Sequence, residues 1–82
     1  MSFVMTSPDQ LGPILKGLRK ARALTQLEVA RQSGLTQKTV SLLETDPARC
    51  RVDTLARYLA TVQATLSLDL NAPAAAPDDE AW

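Results

Sequence analysis

The sequence predicts an all-helical domain of four short helices followed by one β-strand. Near the N-terminus apolar residues recur at the spacing of an amphipathic helix. They are Leu11, Ile14, Leu15 and Leu18. Near the C-terminus the period changes to strict alternation in residues 65–70, TLSLDL, which is typical of a half-buried strand. Eighty-two residues allow one small domain.

The first helix is predicted to run from Ser7 to about Arg22. Ser7 suits the N-cap, Pro8 the first helical position, and Gln10 the partner position three residues on. Pro13 removes a backbone hydrogen bond, so it must kink the helix or delay its start. The continuous apolar stripe favours one kinked helix.

The second and third helices are predicted on either side of a glycine turn, within residues 25–44. Thr25 and Glu28 have the spacing of a capping box. Gly34 suits a left-handed C-terminal position, and Thr36 suits the N-cap of the next helix. Two short helices joined in this way form a helix-turn-helix, whose second helix enters the DNA major groove.

The polar residues of the second of these helices lie near its N-terminal end. The inward apolar residues of the pair are Leu27, Val29, Ala30, Leu35, Val40 and Leu43, and the outward polar ones are Gln37, Lys38, Thr39 and Ser41. Such polar groups bond base edges and phosphates. The alternative is an ordinary amphipathic hairpin with a solvated face. The capping box, the small Ala30 and the glycine turn together favour the helix-turn-helix.

A fourth helix is expected after the breaker sequence Thr45-Asp46-Pro47 and a basic loop. Asp53 can cap it. Tyr58 is expected in the core with its hydroxyl at the edge. The inward stripe of this helix consists of Leu55, Tyr58, Leu59 and Val62.

The predicted strand needs a partner, because a lone strand cannot satisfy its own backbone groups. The chain itself offers only residues 3–5. The simpler solution is the same strand from a second copy, paired about a two-fold axis through Leu66, Leu68 and Leu70. Such a dimer would hold the third helix of one copy about 34 Å from the third helix of the other, a spacing that matches a palindromic site in double-stranded DNA.

Charge is unevenly distributed although the formal net charge is zero. All nine basic residues lie between Lys16 and Arg57, and nine basic residues against six acidic ones up to Leu70 leave a charge of plus three. This segment can present a positive face to phosphates. The candidates are Arg19, Lys20, Arg22, Lys38, Arg49 and Arg51.

The remaining composition favours a non-enzymatic cytoplasmic protein. The single Cys50 forms no internal disulfide, and the N-terminus does not resemble a signal peptide. No apolar run approaches membrane-spanning length. The chain has no histidine, no glycine-rich phosphate loop and no metal-ligand spacing, so we expect neither catalysis, nor a cofactor, nor a metal.

The last twelve residues, NAPAAAPDDEAW, are predicted to form a flexible acidic tail. It carries Asp78, Asp79 and Glu80 and ends in the only tryptophan, Trp82. A terminal tryptophan is either incidental or an anchor for a partner's pocket. The predicted organisation is an N-terminal segment (1–6), a helix-turn-helix domain (7–63), a dimerisation strand (64–70) and the tail (71–82).

Residues 15–62 resemble the Cro/CI (XRE) family of repressors, which implies a lambda-repressor-like fold. The resemblance implies that Gln26 binds a phosphate and that Gln37 reads a base edge. It also implies an internal salt bridge between Arg19 and Glu44. Ser33 departs from the family, which usually has an apolar residue before the turn glycine.

The rest of the chain resembles the HipB-type antitoxins of this family. The resemblance lies in the opening SP-x-QL (Ser7, Pro8, Gln10, Leu11), the strand TLSLDL and the terminal tryptophan. It implies a dimer, with paired strands as a lid, that represses its own operon. It also implies binding to a HipA-type Ser/Thr kinase toxin, on which the tryptophan docks.

Each candidate residue is expected to contact one kind of partner. The expected base contacts are Gln37, Lys38 and Ser41; the expected phosphate contacts are Gln26, Thr25, Thr36, Thr39 and Arg22; the expected toxin contacts are Trp82, Asp78, Asp79 and Glu80. Two alternatives stay open. One is a free-standing dimeric repressor without a toxin, and the other is an interaction module that does not bind DNA.

Overall fold

The computed structural model describes residues 3–68, which contain four α-helices joined by short turns. The helices are α1 (Leu11–Ala21), α2 (Gln26–Ser33), α3 (Gln37–Thr45) and α4 (Val52–Thr61). Two 3-10 turns, Pro8–Gln10 and Pro47–Arg49, precede α1 and connect α3 to α4. Helix α3 packs against both α1 and α2, and α2 also packs against α4.

The core lies between these helices and draws on all four of them. Its buried members are Leu15, Val29, Ala30, Val40, Leu43, Tyr58 and Val62. The prediction that Leu27 faces inward is wrong, since 42% of this residue is exposed. Leu27 lies in the first turn of the eight-residue α2, and only Val29 and Ala30 of that helix are buried.

Helix α1 begins later than predicted. The Gln10 Oε1 atom accepts hydrogen bonds from the backbone N–H groups of Thr6 and Ser7, at 2.7 and 3.2 Å, and thereby holds the preceding 3-10 turn. Because α1 begins at Leu11, Pro13 is its third residue, where a backbone N–H has no intrahelical acceptor. Pro13 therefore costs α1 no backbone hydrogen bond. The helix begins late instead of kinking at Pro13.

The helix-turn-helix itself is confirmed. The Glu28 N–H donates to the Thr25 hydroxyl oxygen at 3.1 Å, and the Thr25 N–H donates to the Glu28 carboxylate at 2.8 Å. Gly34 ends α2 with φ +80°, the left-handed region that favours glycine. The Ser33 hydroxyl accepts from the Leu35 N–H at 3.2 Å, so this polar residue supports the turn by a hydrogen bond.

Helix α4 begins two residues earlier than predicted, at Val52. Arg51 is the N-cap residue, with the extended dihedrals φ −81° and ψ 154°, so the prediction that Asp53 caps the helix is wrong. Asp53 instead lies in the first turn, where acidic charge is favourable. Its carboxylate pairs with the Arg51 side chain at 3.1 Å.

The predicted strand is not confirmed. Residues 64–68 follow α4 without forming a strand, and Leu66 and Leu68 are 59% and 91% exposed. Within residues 3–68 no other strand is present to pair with them. Asp69 and Leu70 lie outside the described residues. In the described part of the chain no helix is long and apolar enough to span a membrane.

Candidate nucleic-acid interface

The N-terminal turn of α3 is fixed by two threonines. The Thr36 hydroxyl oxygen accepts from the Thr39 N–H at 3.1 Å, and the Thr36 hydroxyl donates to the Thr39 hydroxyl oxygen at 3.0 Å. The Thr39 hydroxyl proton is then available to another acceptor. The first turn of a helix also carries unpaired N–H groups and the positive end of the helix dipole. This end of α3 is suited to an anionic ligand.

The exposed side of α3 is polar, as the sequence predicted. Gln37 and Lys38 are exposed and Ser41 is half-buried, whereas Val40 and Leu43 are fully buried. The buried pair packs α3 against the rest of the domain, so its polar side faces solvent as one surface. Among residues 3–68 Lys38 forms no ion pair, which leaves its positive charge for a partner.

The start of α2 lies against the end of α3 through Gln26. The side-chain Nε2 of Gln26 donates to Glu44 Oε1 at 3.1 Å, and Gln26 is half-buried. An amide nitrogen has two N–H groups, so one remains for a phosphate. Thr25, the neighbouring candidate, is exposed.

Arg19 and Glu44 form the internal salt bridge that the family resemblance implied. Arg19 Nε lies 2.7 Å from Glu44 Oε2, and Arg19 Nη2 lies 3.0 Å from Glu44 Oε1. Arg19 Nη1 donates to the Leu24 carbonyl at 2.9 Å. All three guanidinium nitrogens are therefore engaged inside the protein. Arg19 thus has a structural role although it is part of the basic segment.

The Glu44 carboxylate stays ionised. Burial by itself would raise the pKa of Glu44, but hydrogen bonds from Arg19, Tyr58 and Gln26 outweigh it and lower the pKa. The hydrogen bond to Glu44 likewise raises the pKa of Arg19. A buried ion pair stabilises a fold only when its remaining hydrogen-bonding positions are filled. Here Gln26 and Tyr58 fill them.

The Tyr58 hydroxyl is buried, which differs from the prediction that it lies at the edge of the core. The residue is 0% exposed, and its hydroxyl oxygen lies 2.6 Å from Glu44 Oε2 and 2.9 Å from the Leu15 carbonyl oxygen. Burial raises the pKa of Tyr58 above its ordinary value, and the hydrogen bond to Glu44 raises it further. Sequence patterns missed this contact because the buried carboxylate that accepts it is distant along the chain.

Arg22 is placed differently from the other predicted phosphate ligands. Its Nε donates to the Val62 carbonyl at 2.9 Å and its Nη2 to the Gln63 carbonyl at 3.4 Å. These carbonyls belong to the C-cap residue of α4 and the residue after it, a region where cationic side chains bind unpaired backbone oxygens. The structure thus gives Arg22 a helix-capping contact that joins the ends of α1 and α4. No local sequence signal marks a contact between residues so far apart.

The remaining predicted residues lie outside the described part of the chain. They are Leu70, Asp78, Asp79, Glu80 and Trp82. Within residues 3–68 no group of His, Cys, Asp or Glu side chains is arranged to hold a metal ion.

Comparison with known proteins identifies the family. The family model HTH_3, described as "Helix-turn-helix", matches residues 15–67. The chain belongs to this helix-turn-helix family. Antitoxin HipB of Escherichia coli K12 is 32% identical over 69 residues, which cover 83% of this chain and 78% of HipB. This similarity confirms the resemblance to HipB-type antitoxins within the helix-turn-helix family.

A second group of relatives is similar over a shorter stretch. Antitoxin HigA1 of Mycobacterium tuberculosis H37Rv is 42% identical over 59 residues, which cover 72% of this chain. The chain spans about 40% of the length of HigA1. This chain is therefore similar to only one part of HigA1.

Solved structures of HipB share the helix-turn-helix fold. The HipA-HipB-O2-O3 complex contains a chain that superposes with a TM-score of 0.79 at 27% identity, covering 87% of this chain and 100% of that one. A HipB-O1-O2 complex gives a TM-score of 0.77 at 28% identity and covers 83% and 99% of the two chains.

Proposed function

We propose that this protein is a DNA-binding antitoxin that represses its own operon and neutralises a HipA-type Ser/Thr kinase toxin. The observation that carries the proposal is the exposed polar turn at the start of α3, in a helix-turn-helix with both N-caps in place. The relatives HipB and HigA1 are antitoxins by name, and HipB forms a complex with HipA. The similarity to HipB covers most of both chains, which favours HipA as the model for the toxin.

In the proposed complex α3 enters the major groove and its polar side contacts base edges. Gln37 makes a bidentate contact with adenine, and Lys38 and Ser41 contact neighbouring bases. A bidentate contact of this kind contributes about 1–3 kcal/mol of discrimination against the wrong base. Gln37 suits this role because it is exposed in the first turn of α3.

Phosphate contacts fix the register of α3 in the groove. Lys38 and the helix N-terminus supply positive charge, and hydroxyl and amide groups donate to phosphate oxygens. The proposed donors are Thr25, Gln26, Thr36 and Thr39. Arg22 joins this set only through those N–H groups that are not bound to the end of α4.

Selection of DNA sequences from a random duplex library tests this assignment. Gln37→Ala is expected to relax the preference at one base position in each half-site and to weaken binding to the selected duplex. Gln32→Ala is the matched control, because Gln32 is exposed near the C-terminal end of α2 and is expected to leave the selected sequence unchanged. An unchanged preference for Gln37→Ala would show that α3 does not read the bases.

The proposed dimer buries an apolar groove on α4 together with the segment that follows it. The groove has a volume of about 290 Å³. Its lining residues are Val52, Leu55, Ala56, Leu59, Ala60, Ala64, Thr65 and Leu66. Val52 and Leu68 are also exposed, and exposed apolar surface of this extent is typical of an interface. In the dimer, Leu66, Leu68 and Leu70 lie on paired strands from the two copies.

Sedimentation velocity tests the dimer directly. The unaltered chain is expected to sediment as a dimer at micromolar concentration, and Leu68→Asp is expected to shift it to monomer. Val4→Asp changes an equally exposed apolar residue outside the groove and should leave the dimer intact. A monomeric unaltered chain would refute the proposed interface.

The tail is proposed to anchor the toxin. Trp82 would fill a pocket of the kinase, and Asp78, Asp79 and Glu80 would steer it toward a basic surface. Deletion of Trp82 is expected to weaken kinase binding without changing DNA affinity. If the full chain retains its operator duplex but binds no kinase encoded beside it, the protein is a repressor without a toxin.

A further inference from the structure

One carboxylate near the end of α3 joins all four helices. Glu44 Oε2 accepts from Arg19 Nε at 2.7 Å and from the Tyr58 hydroxyl at 2.6 Å. Glu44 Oε1 accepts from Arg19 Nη2 at 3.0 Å and from Gln26 Nε2 at 3.1 Å. A carboxylate has about four lone-pair positions, so Glu44 is fully satisfied. Its donors come from α1, α2 and α4.

Glu44 determines which way the Gln26 amide faces. A carboxylate only accepts hydrogen bonds, so the Gln26 nitrogen and not its oxygen must face Glu44. A phosphate also only accepts, so the second N–H of the same nitrogen is the group that can serve it. With the amide reversed, its oxygen would lie against the carboxylate and the donor to the phosphate would be lost.

We propose that Tyr58 is a positioning residue for DNA binding, which acts by holding Glu44 so that Glu44 orients the Gln26 amide toward a phosphate. This inference rests on the proposed function. Tyr58 is fully buried and touches no DNA. Its hydroxyl is the only donor from α4 to Glu44, so it links α4 to the DNA-binding surface.

The chemistry of the hydroxyl supports this role. Glu44 is ionised and Tyr58 stays protonated, so the hydroxyl donates to the carboxylate as a charge-assisted hydrogen bond. Without the hydroxyl, Glu44 Oε2 keeps only the Arg19 Nε contact, so the carboxylate loses one of the four hydrogen bonds that fix its position. The acceptor that orients the Gln26 amide is then held less firmly.

A double-mutant cycle with the full chain tests the proposal. The probe is sonicated double-stranded DNA of mixed sequence, because a phosphate contact is independent of sequence. Tyr58→Phe is expected to weaken binding about threefold to tenfold, which is the range of the net contribution of one ordinary hydrogen bond. In the Gln26→Ala background the same substitution is expected to have no further effect.

A stability control separates positioning from simple loss of structure. Val62→Ala destabilises the end of α4 without touching the hydrogen-bond network, and should act equally in both Gln26 backgrounds. Equal effects of Tyr58→Phe in both backgrounds would overturn the positioning role. An unaltered chain that does not bind the DNA would overturn the proposed function and this inference with it.

The Gln26 side-chain amide gives a second readout that needs no DNA, and its first measurement uses the unaltered chain alone. In the unaltered chain its amide protons are expected to exchange with solvent more slowly than those of Gln32. In Tyr58→Phe the Gln26 amide signals are expected to shift toward the Gln32 values. Equal exchange rates for Gln26 and Gln32 in the unaltered chain would overturn the inference without affecting the proposed function.

Discussion

At Gly12, α1 lies directly against the backbone at the end of α3. A Cβ atom at Gly12 would lie 2.5 Å from the Glu44 carbonyl oxygen and 3.1 Å from its carbonyl carbon. Real Cβ atoms essentially never come within 3.0 Å of another atom in this way. The close partner is backbone, so it cannot turn aside as a flexible side chain would. Gly12→Ala must therefore push α1 away from α3.

The expected cost follows from two opposing effects. The Cβ must retreat by about 0.9 Å to reach the 3.4 Å of ordinary contact, and overpacking of this kind costs about 1–3 kcal/mol. Alanine is better than glycine inside a helix by about 0.5–1 kcal/mol. The net loss in the free energy of unfolding is about 0–2.5 kcal/mol, centred near 1 kcal/mol.

Urea unfolding followed by circular dichroism measures this loss. Gly17→Ala is the matched control, because it lies in the same helix and its Cβ would meet only Phe3 Cζ at 3.8 Å. That control is expected to gain up to about 1 kcal/mol. If Gly12→Ala were as stable as Gly17→Ala, the close approach of α1 to α3 would be refuted.

Two further predictions concern charged groups. Arg22→Ala is expected to lower the free energy of unfolding by about 1 kcal/mol, because the contacts at the end of α4 are lost. Unchanged stability would refute the capping role. If Arg22 binds phosphate as well, the slope of log affinity against log salt should fall by about one. The pKa of Glu44 is lowered in the folded protein, so the ionised carboxylate stabilises the fold. This contribution to the free energy of unfolding is fully present above the unfolded carboxyl pKa of about 4.3, and it is lost as the pH falls through the lower pKa of the folded state. Carbon-detected NMR should show Glu44 titrating below that ordinary value, and a midpoint above it would contradict the hydrogen-bond network.

Local chemistry explains why the helix-turn-helix could be predicted from the sequence. The capping residues Thr25, Glu28 and Thr36 and the turn residue Gly34 act within a few positions of one another. Each contact is therefore encoded in a short window, and the structure contains all of them. The polar side of α3 follows from the same helical periodicity.

Contacts between distant residues explain what the sequence left out. Tyr58 looks like an ordinary core aromatic until Glu44 is known to be buried beside it. The capping contact of Arg22 cannot be foreseen until the end of α4 is known to lie within its reach. Gly12 looks awkward inside a helix until the α3 backbone is placed against it. Each depends on how helices pack, which spacing along one helix does not specify.

The strand prediction is not confirmed, for a different reason. Residues 65–68 alternate as a half-buried strand does, but a strand exists only when another strand supplies hydrogen-bond partners. Within one copy of residues 3–68 none is available. The alternating pattern thus remains a prediction about the dimer.

Titration of the labelled full chain with duplex DNA, followed by amide chemical shifts, tests whether α3 is the helix that binds DNA. The DNA is the duplex selected from the random library. The largest changes are expected on Gln37, Lys38 and Thr39 and on the side-chain amide of Gln26. If those residues stayed unchanged while the exposed side of α4 shifted, α3 would not be the helix that binds DNA.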